Sequence, residues 1–145
     1  MASSLLLPSC CLAQLNKIVV HPPDPLTVVR GASVEQTLEL AVLPGFHVNS
    51  DKPKDETLIP LKLTWTNGPL ETQSVSYPEA KEIKVGSQQV MVFTGKFQIQ
   101  TKFHVPAGIA KGSSTMTGKL HYQACNDTMC FRPSSVAVTL PVSVE

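Results

Sequence analysis

The sequence contains no apolar run approaching the roughly 18 to 20 residues that a helix needs to cross a bilayer. It also lacks a charge of one dominant sign. Lys and Arg number 12 against 11 Asp and Glu, a net +1, which leaves no electrostatic footprint for nucleic acid or an anionic membrane surface. No nucleic acid partner is expected, and membrane contact only through a transmembrane region outside these residues. Charged residues are sparse at 16% while hydrophobic ones reach 42%, the reverse of the balance that keeps a chain disordered. Aromatic residues make up 6%, with a single Trp. That residue, Trp65, falls on the apolar face of a strand-like run and is read as core rather than as a stacking platform for a ligand.

What is present points to strands. At 145 residues the chain suits one domain with a core of its own. Twelve prolines against eight glycines, with many Val and Thr, fit strands joined by Pro-punctuated turns. Val34–Val42 places Val34, Leu38, Leu40 and Val42 at even positions with Glu35 and Glu39 between them, the period of a strand buried on one face. Ile59–Trp65 repeats the pattern and ends in the turn residues Asn67, Gly68 and Pro69. Val90–Val105 alternates again, with Gly95 offering a bend or bulge. Thr115–Ala124 and Val136–Val144 behave similarly, and weaker candidates lie at Ile18–Val20, Leu26–Val29, Phe46–Asn49 and Thr72–Tyr77. About eight or nine short strands at this spacing predict an all-β fold, a two-sheet antiparallel sandwich of immunoglobulin-like type. The segment Gly45–Pro60, with its carboxylates and lysines, is read as a solvated crossover loop.

Residues Met1–Ala13 (MASSLLLPSCCLA) resemble the end of a secretory signal, with an apolar stretch and small residues at −3 and −1 of a cleavage point, although the first basic residue is Lys17. A frayed terminus is the alternative. The domain is expected over 14–145. Removing the leader takes Cys10 and Cys11 with it and leaves Cys125 and Cys130, an even, local pair that reads as disulfide-competent in an exported protein.

In YQACNDTMCFRP, four residues separate the two cysteines, a length suited to a hairpin loop around a turn at Asn126-Asp127. Residues opposed across such a hairpin have Cα atoms roughly 4.5 to 5.5 Å apart, within reach of a disulfide. The closed ring restricts the unfolded chain by only about 2 kcal/mol, so it is a weak staple. A strained cross-strand bridge tends toward the higher reduction potential of exchanging pairs. A zinc or copper site using His121, with His104 or His47, lacks a second ligand pair, and no metal or other cofactor is expected. Cysteine hydrolase chemistry on Cys130 with His121 or His104 lacks any local signature. An inert disulfide clasp in a binding or assembly module fits the same fold and stays open as the alternative. Tyr122 and Phe131 are expected to flank and partly bury the pair, and Arg132 to favour a nearby thiolate or to be a solvated surface residue.

The segment YQACNDTMC, followed by an aromatic and Pro133, resembles the active-site segment of the amino-terminal periplasmic domain of the DsbD thiol:disulfide interchange family. GFHVNSDKPKDETLIPLKLTW is similar to that family's Gly-aromatic-His segment leading to Leu-Ile-Pro, and the likeness runs through most of 16–144. It implies a periplasmic protein-disulfide reductase domain that takes electrons from a thioredoxin-like donor and passes them to oxidised periplasmic thiol-disulfide proteins. Cys130, matching the second cysteine, would form the mixed disulfide and Cys125 would resolve it. The family covers its disulfide with a cap loop carrying an aromatic residue, expected between Tyr77 and Phe93. Here that stretch reads YPEAKEIKVGSQQVMVF, without the acidic-aromatic-Gly pattern.

Overall fold

A computed structural model describes residues 16–145; the leader-like segment 1–13 lies outside them. Among the described residues there is no helix, and twelve strands form three sheets. The first sheet runs in the order β1 (Ile18–Val20), β3 (Ser33–Val42), β9 (Lys96–His104) and β6 (Glu71–Ser76). The second runs β2 (Leu26–Val28), β12 (Ser134–Val144), β10 (Gly112–Tyr122) and β5 (Lys62–Asn67). The third runs β11 (Ala124–Cys125), β4 (His47–Asn49), β8 (Gln88–Phe93) and β7 (Lys81–Val85). All pairings are antiparallel except β2 with β12. The fold is the expected immunoglobulin-like sandwich, with a small third sheet added.

The period-two segments became the long strands because each has one apolar face to bury. Leu38, Leu40 and Ile99 of the first sheet meet Leu63, Leu120 and Val138 of the second in one cluster. Val28, Phe103, Met116, Leu140 and Val142 form another. Trp65 is half-buried and packs against both clusters from the apolar face on which its position in the alternation placed it. It stands edge-on to Phe103 with ring centroids 5.3 Å apart, and its indole N–H donates to the buried Thr101 hydroxyl at 3.0 Å. The ring leaves no space opposite: a Cβ on Gly118 would lie 2.7 Å from Trp65 Cε3.

Three expectations need correction. Val90–Val105 is two strands in different sheets: the chain bends at Gly95, where a bend or bulge was expected and φ is +60°, a conformation open to glycine at no steric cost. Strand β5 starts at Lys62 rather than Ile59, since Pro60 has no N–H to give a ladder and the Ile59 N–H is taken by the Gln123 side chain at 3.2 Å. The segment 45–60 is not solvated throughout. His47, Val48, Asn49 and Ser50 are buried, because β4 is an inner strand of the third sheet, with β11 on one side and β8 on the other. The exposed part follows, tied to β7 by a Lys54–Glu82 ion pair of 3.4 Å between two exposed side chains, a contact of small worth in water.

Candidate active site

The long strand β10 ends at Tyr122, and the chain steps through Gln123 into the two-residue strand β11. It then reverses, and Cys125 and Cys130 meet as an isolated antiparallel bridge joined by a disulfide. Backbone bonds flank the pair on either side: Asn126 N–H donates to Met129 O at 2.9 Å and Phe131 N–H to Ala124 O at 2.8 Å. The cysteines thus occupy a non-hydrogen-bonded position, where opposed side chains come closest. Their Cα atoms are 4.0 Å apart, nearer than expected for an open ladder. The loop is tightened by the Asn126 carboxamide oxygen, which accepts from Thr128 N at 2.9 Å, Thr128 Oγ1 at 3.0 Å and Met129 N at 2.8 Å, an Asx-type local bond that substitutes for ladder pairing.

The two halves of the disulfide are unequal. Cys125 is 2% exposed, whereas Cys130 stands open to solvent beside the exposed Met129. Both line a cavity of about 180 Å³ with His47, Leu58, Val85 and Val90. The β7–β8 hairpin therefore reaches the site from the stretch where a cap was sought, and it brings aliphatic side chains instead of an aromatic one. Its tip bends at Gly86, where φ is +61°.

Beneath the hairpin lies a polar lattice. The Gln123 Oε1 accepts from Asn49 Nδ2 at 3.1 Å and from Ile59 N at 3.2 Å, and its Nε2 donates to Phe131 O at 3.2 Å. Asn49 Nδ2 also donates to Ile59 O at 3.1 Å, and Asn49 N–H to Gln123 O at 3.2 Å. One glutamine thus joins the outgoing limb of the cysteine hairpin to β4 and to the loop before β5.

Tyr122 and Phe131 do not line the cavity at the sulfurs. They line a second one with Lys17 and the exposed Arg132. The Phe131 ring lies 5.9 Å from Phe46, and the Lys17 ammonium stands 5.1 Å and 5.5 Å from the two ring centroids, close enough for cation–π attraction. Tyr122 is buried, and desolvation pushes its hydroxyl above the usual tyrosine range, opposed by hydrogen bonds with Ser134 and the Lys17 backbone. His47 is the cross-strand partner of Cys125. Burial holds its imidazole below the ordinary histidine value, partly offset by the Asp127 carboxylate. His121 sits elsewhere, its Nδ1 2.9 Å from Ser135 Oγ, and His104 ends β9 in the first sheet. Among the described residues no three His, Cys, Asp or Glu side chains gather as a metal set.

Comparisons with known proteins bear on this arrangement through the family and the fold. The family model for the amino-terminal region of thiol:disulfide interchange protein DsbD covers residues 20–141. The chain belongs to the DsbD amino-terminal domain family. At the level of the family it is a thiol:disulfide exchange domain. The N-terminal periplasmic domain of ScsB from Proteus mirabilis superposes with a TM-score of 0.56 at 13% identity, covering 77% of this chain and 42% of that one, so the chain spans well under half of the ScsB structure. The DsbD N-terminal domain of Neisseria meningitidis in its reduced form gives 0.48 at 12% identity, over 79% and 82%. A type I cohesin of ScaB from Pseudobacteroides cellulosolvens gives 0.50 at 15%, over 88% and 92%, which shows the sandwich alone. No curated protein matches the sequence.

Within this DsbD-type domain, sequence reasoning found the cysteine pair and its hairpin but missed Gln123, Asn49 and the placement of His47. The signal for His47 and Asn49 was the buried run itself: HVN is short, and all three residues are buried, so it shows no alternation to count.

Proposed function

We propose that this domain works in the periplasm as a protein-disulfide reductase, taking two electrons from a thioredoxin-like donor and passing them to oxidised thiol-disulfide proteins through Cys125 and Cys130. The observation that carries this reading is the hairpin disulfide with one open and one buried half, in a chain of the DsbD family. Exchange needs a thiolate to approach an accessible sulfur in line with the bond that breaks. Only Cys130 offers that approach from solvent, while Cys125 is placed to leave.

In the loading half-reaction, a donor thiolate attacks Cys130 Sγ and the Cys125–Cys130 bond breaks with its electron pair on Cys125. The donor's second thiolate then attacks its own partner sulfur, freeing Cys130 and leaving the donor oxidised. In the delivering half-reaction, the Cys130 thiolate attacks the acceptor's disulfide, expelling one acceptor thiolate. Cys125 attacks Cys130 Sγ, the internal disulfide re-forms, and the second acceptor thiolate departs. Two electrons move, and the two protons taken up by the acceptor balance those given up by the cysteines. The chemistry needs no cofactor. Phe131, held between Phe46 and Lys17, steadies the limb that carries Cys130, and Tyr122 anchors the other limb in the core.

Cys130→Ser tests the assignment. The variant should fold and lose all electron transfer to a disulfide-bearing partner, while Cys125→Ser should trap the mixed disulfide at Cys130. Transfer retained by Cys130→Ser would refute the role. A redox titration separates this reading from an inert clasp, which would show a midpoint well below about −300 mV.

A further inference from the structure

We propose that His47 handles the proton of Cys125 in the resolving step, accepting it as the buried thiol becomes the attacking thiolate. The inference rests on the exchange reading above and adds to it a residue outside the cysteine hairpin.

The geometry comes from two strands. His47 and Cys125 are registered opposite one another across β4 and β11, so their side chains project from the same face as cross-strand neighbours. Both also line the cavity that contains Cys130. Cys125 is 2% exposed, and a thiol buried in such surroundings resists ionisation because the thiolate loses its hydration. Resolution therefore requires a base inside the site. The other elements around the cavity supply none: the β7–β8 hairpin contributes Val85, Gln88 and Val90, and the loop before β5 contributes Leu58. Among the described residues, the titratable groups lining it are the two cysteines and His47, with Asp127 the charged group acting on the imidazole from the hairpin tip. Burial keeps the ring below its ordinary value, hence neutral and able to accept at neutral pH. In the oxidised form it makes no hydrogen bond with another described residue, so its nitrogens are uncommitted.

The step balances. In the mixed disulfide, the Cys125 S–H proton passes to the imidazole, and the imidazolium is stabilised by the Asp127 carboxylate. The thiolate electron pair forms the bond to Cys130 Sγ. The bond from Cys130 to the acceptor sulfur breaks, and its pair leaves on the acceptor as thiolate. The imidazolium returns its proton to solvent, from which the departing thiolate takes one up.

A chromogenic aromatic disulfide, 5,5′-dithiobis(2-nitrobenzoate), separates the two events. Reduced protein should release one thionitrobenzoate when Cys130 attacks and a second when Cys125 resolves the adduct. His47→Gln should leave the first phase unchanged and slow the second by about tenfold or more, in keeping with the loss of a positioned base, and should remove the acid limb from its pH profile. A second phase in His47→Gln with the wild-type rate and pH profile would overturn the inference while the exchange reading stood. A wild-type protein that released a single equivalent, or a Cys130→Ser variant that kept the first phase, would overturn the exchange reading itself. Asp127→Asn, at an exposed tip, covers the case in which His47→Gln fails to fold. Removing the carboxylate should move the acid limb of the second phase to lower pH, and an unmoved midpoint would count against His47.

Discussion

The two ends of the domain are held together by different forces. Around Trp65, long strands meet. β10 and β12 each run for 11 residues in continuous register, and Phe103, Leu140 and Met116 are almost wholly buried between the sheets. Around the cysteines the strands are short, with three residues in β4 and two in β11; Val48 and Ala124 tie them to the core, and side-chain hydrogen bonds of one glutamine and one asparagine join them to the neighbouring loops. Apolar burial scales with area and is insensitive to direction, whereas hydrogen bonds contribute modestly and only in one geometry. The difference teaches where the molecule opens. Elements with few buried apolar contacts exchange and unfold locally before the rest, and a disulfide that must admit another protein belongs at that end.

The sharpest way to break the contrast is to damage the rigid end and watch the site. Gly118→Ala puts a methyl group against the Trp65 ring, with Cε3 only 2.7 Å from the new carbon. Global stability in urea should fall by up to about 3 kcal/mol, while thionitrobenzoate release per folded molecule stays at the wild-type rate. Reducing the disulfide is the complementary insult. The ring is small, so equilibrium unfolding of the reduced protein should show a loss of about 2 kcal/mol, with amide exchange accelerating chiefly in β11 and the hairpin. Gln123→Ala removes the acceptor for Asn49 Nδ2 and Ile59 N. A loss of about 1 to 2 kcal/mol is expected, as for buried donors left without a partner. Hydrogen exchange should rise at Ile59 and Phe131 and leave β10 and β12 unchanged. A uniform rise across both ends would remove the distinction.

The same contrast decides what could be read from the chain. Residues with a face to bury announce themselves, which is why Ile18–Val20 was expected and found as β1 without change, and why Trp65 was placed in the core. The cysteines were legible because four intervening residues and an Asn-Asp turn fix their pairing locally. The third sheet was not. Its strand β4 was a weaker candidate at Phe46–Asn49 and is found at His47–Asn49, but Val48 pairs with Ala124 and with Phe93, partners remote in sequence, and three residues have no period that marks an inner strand. The bond between Asn49 and Gln123 spans 74 positions, and neither residue carries a pattern that points to the other. The cap was sought as an aromatic motif, whereas the β7–β8 hairpin lines the cavity with Val85 and Val90, ordinary strand residues.

The smallest effect expected is a pH dependence of stability confined to the cysteine end. Burial lowers the folded-state value of His47 from its ordinary 6.5, the larger of two influences, and Asp127 partly restores it. The unfolded chain therefore takes up a proton at this residue at a higher pH than the folded one does. Stability falls as the pH falls wherever the unfolded state binds more protons. The contribution is thus present above about pH 6.5 and is lost as the pH falls from there through the lower folded value. Urea unfolding of the oxidised protein at about pH 7.5 and about pH 5.5 should show this loss in the wild type, a smaller loss in His47→Gln, and a larger one in Asp127→Asn. The signs differ for a reason: the first variant deletes the titrating group, and the second deletes the charge that offsets its burial. If all three proteins lost stability equally on acidification, the dependence would come from carboxylates elsewhere on the sandwich, and the cysteine end would not be the acid-sensitive half.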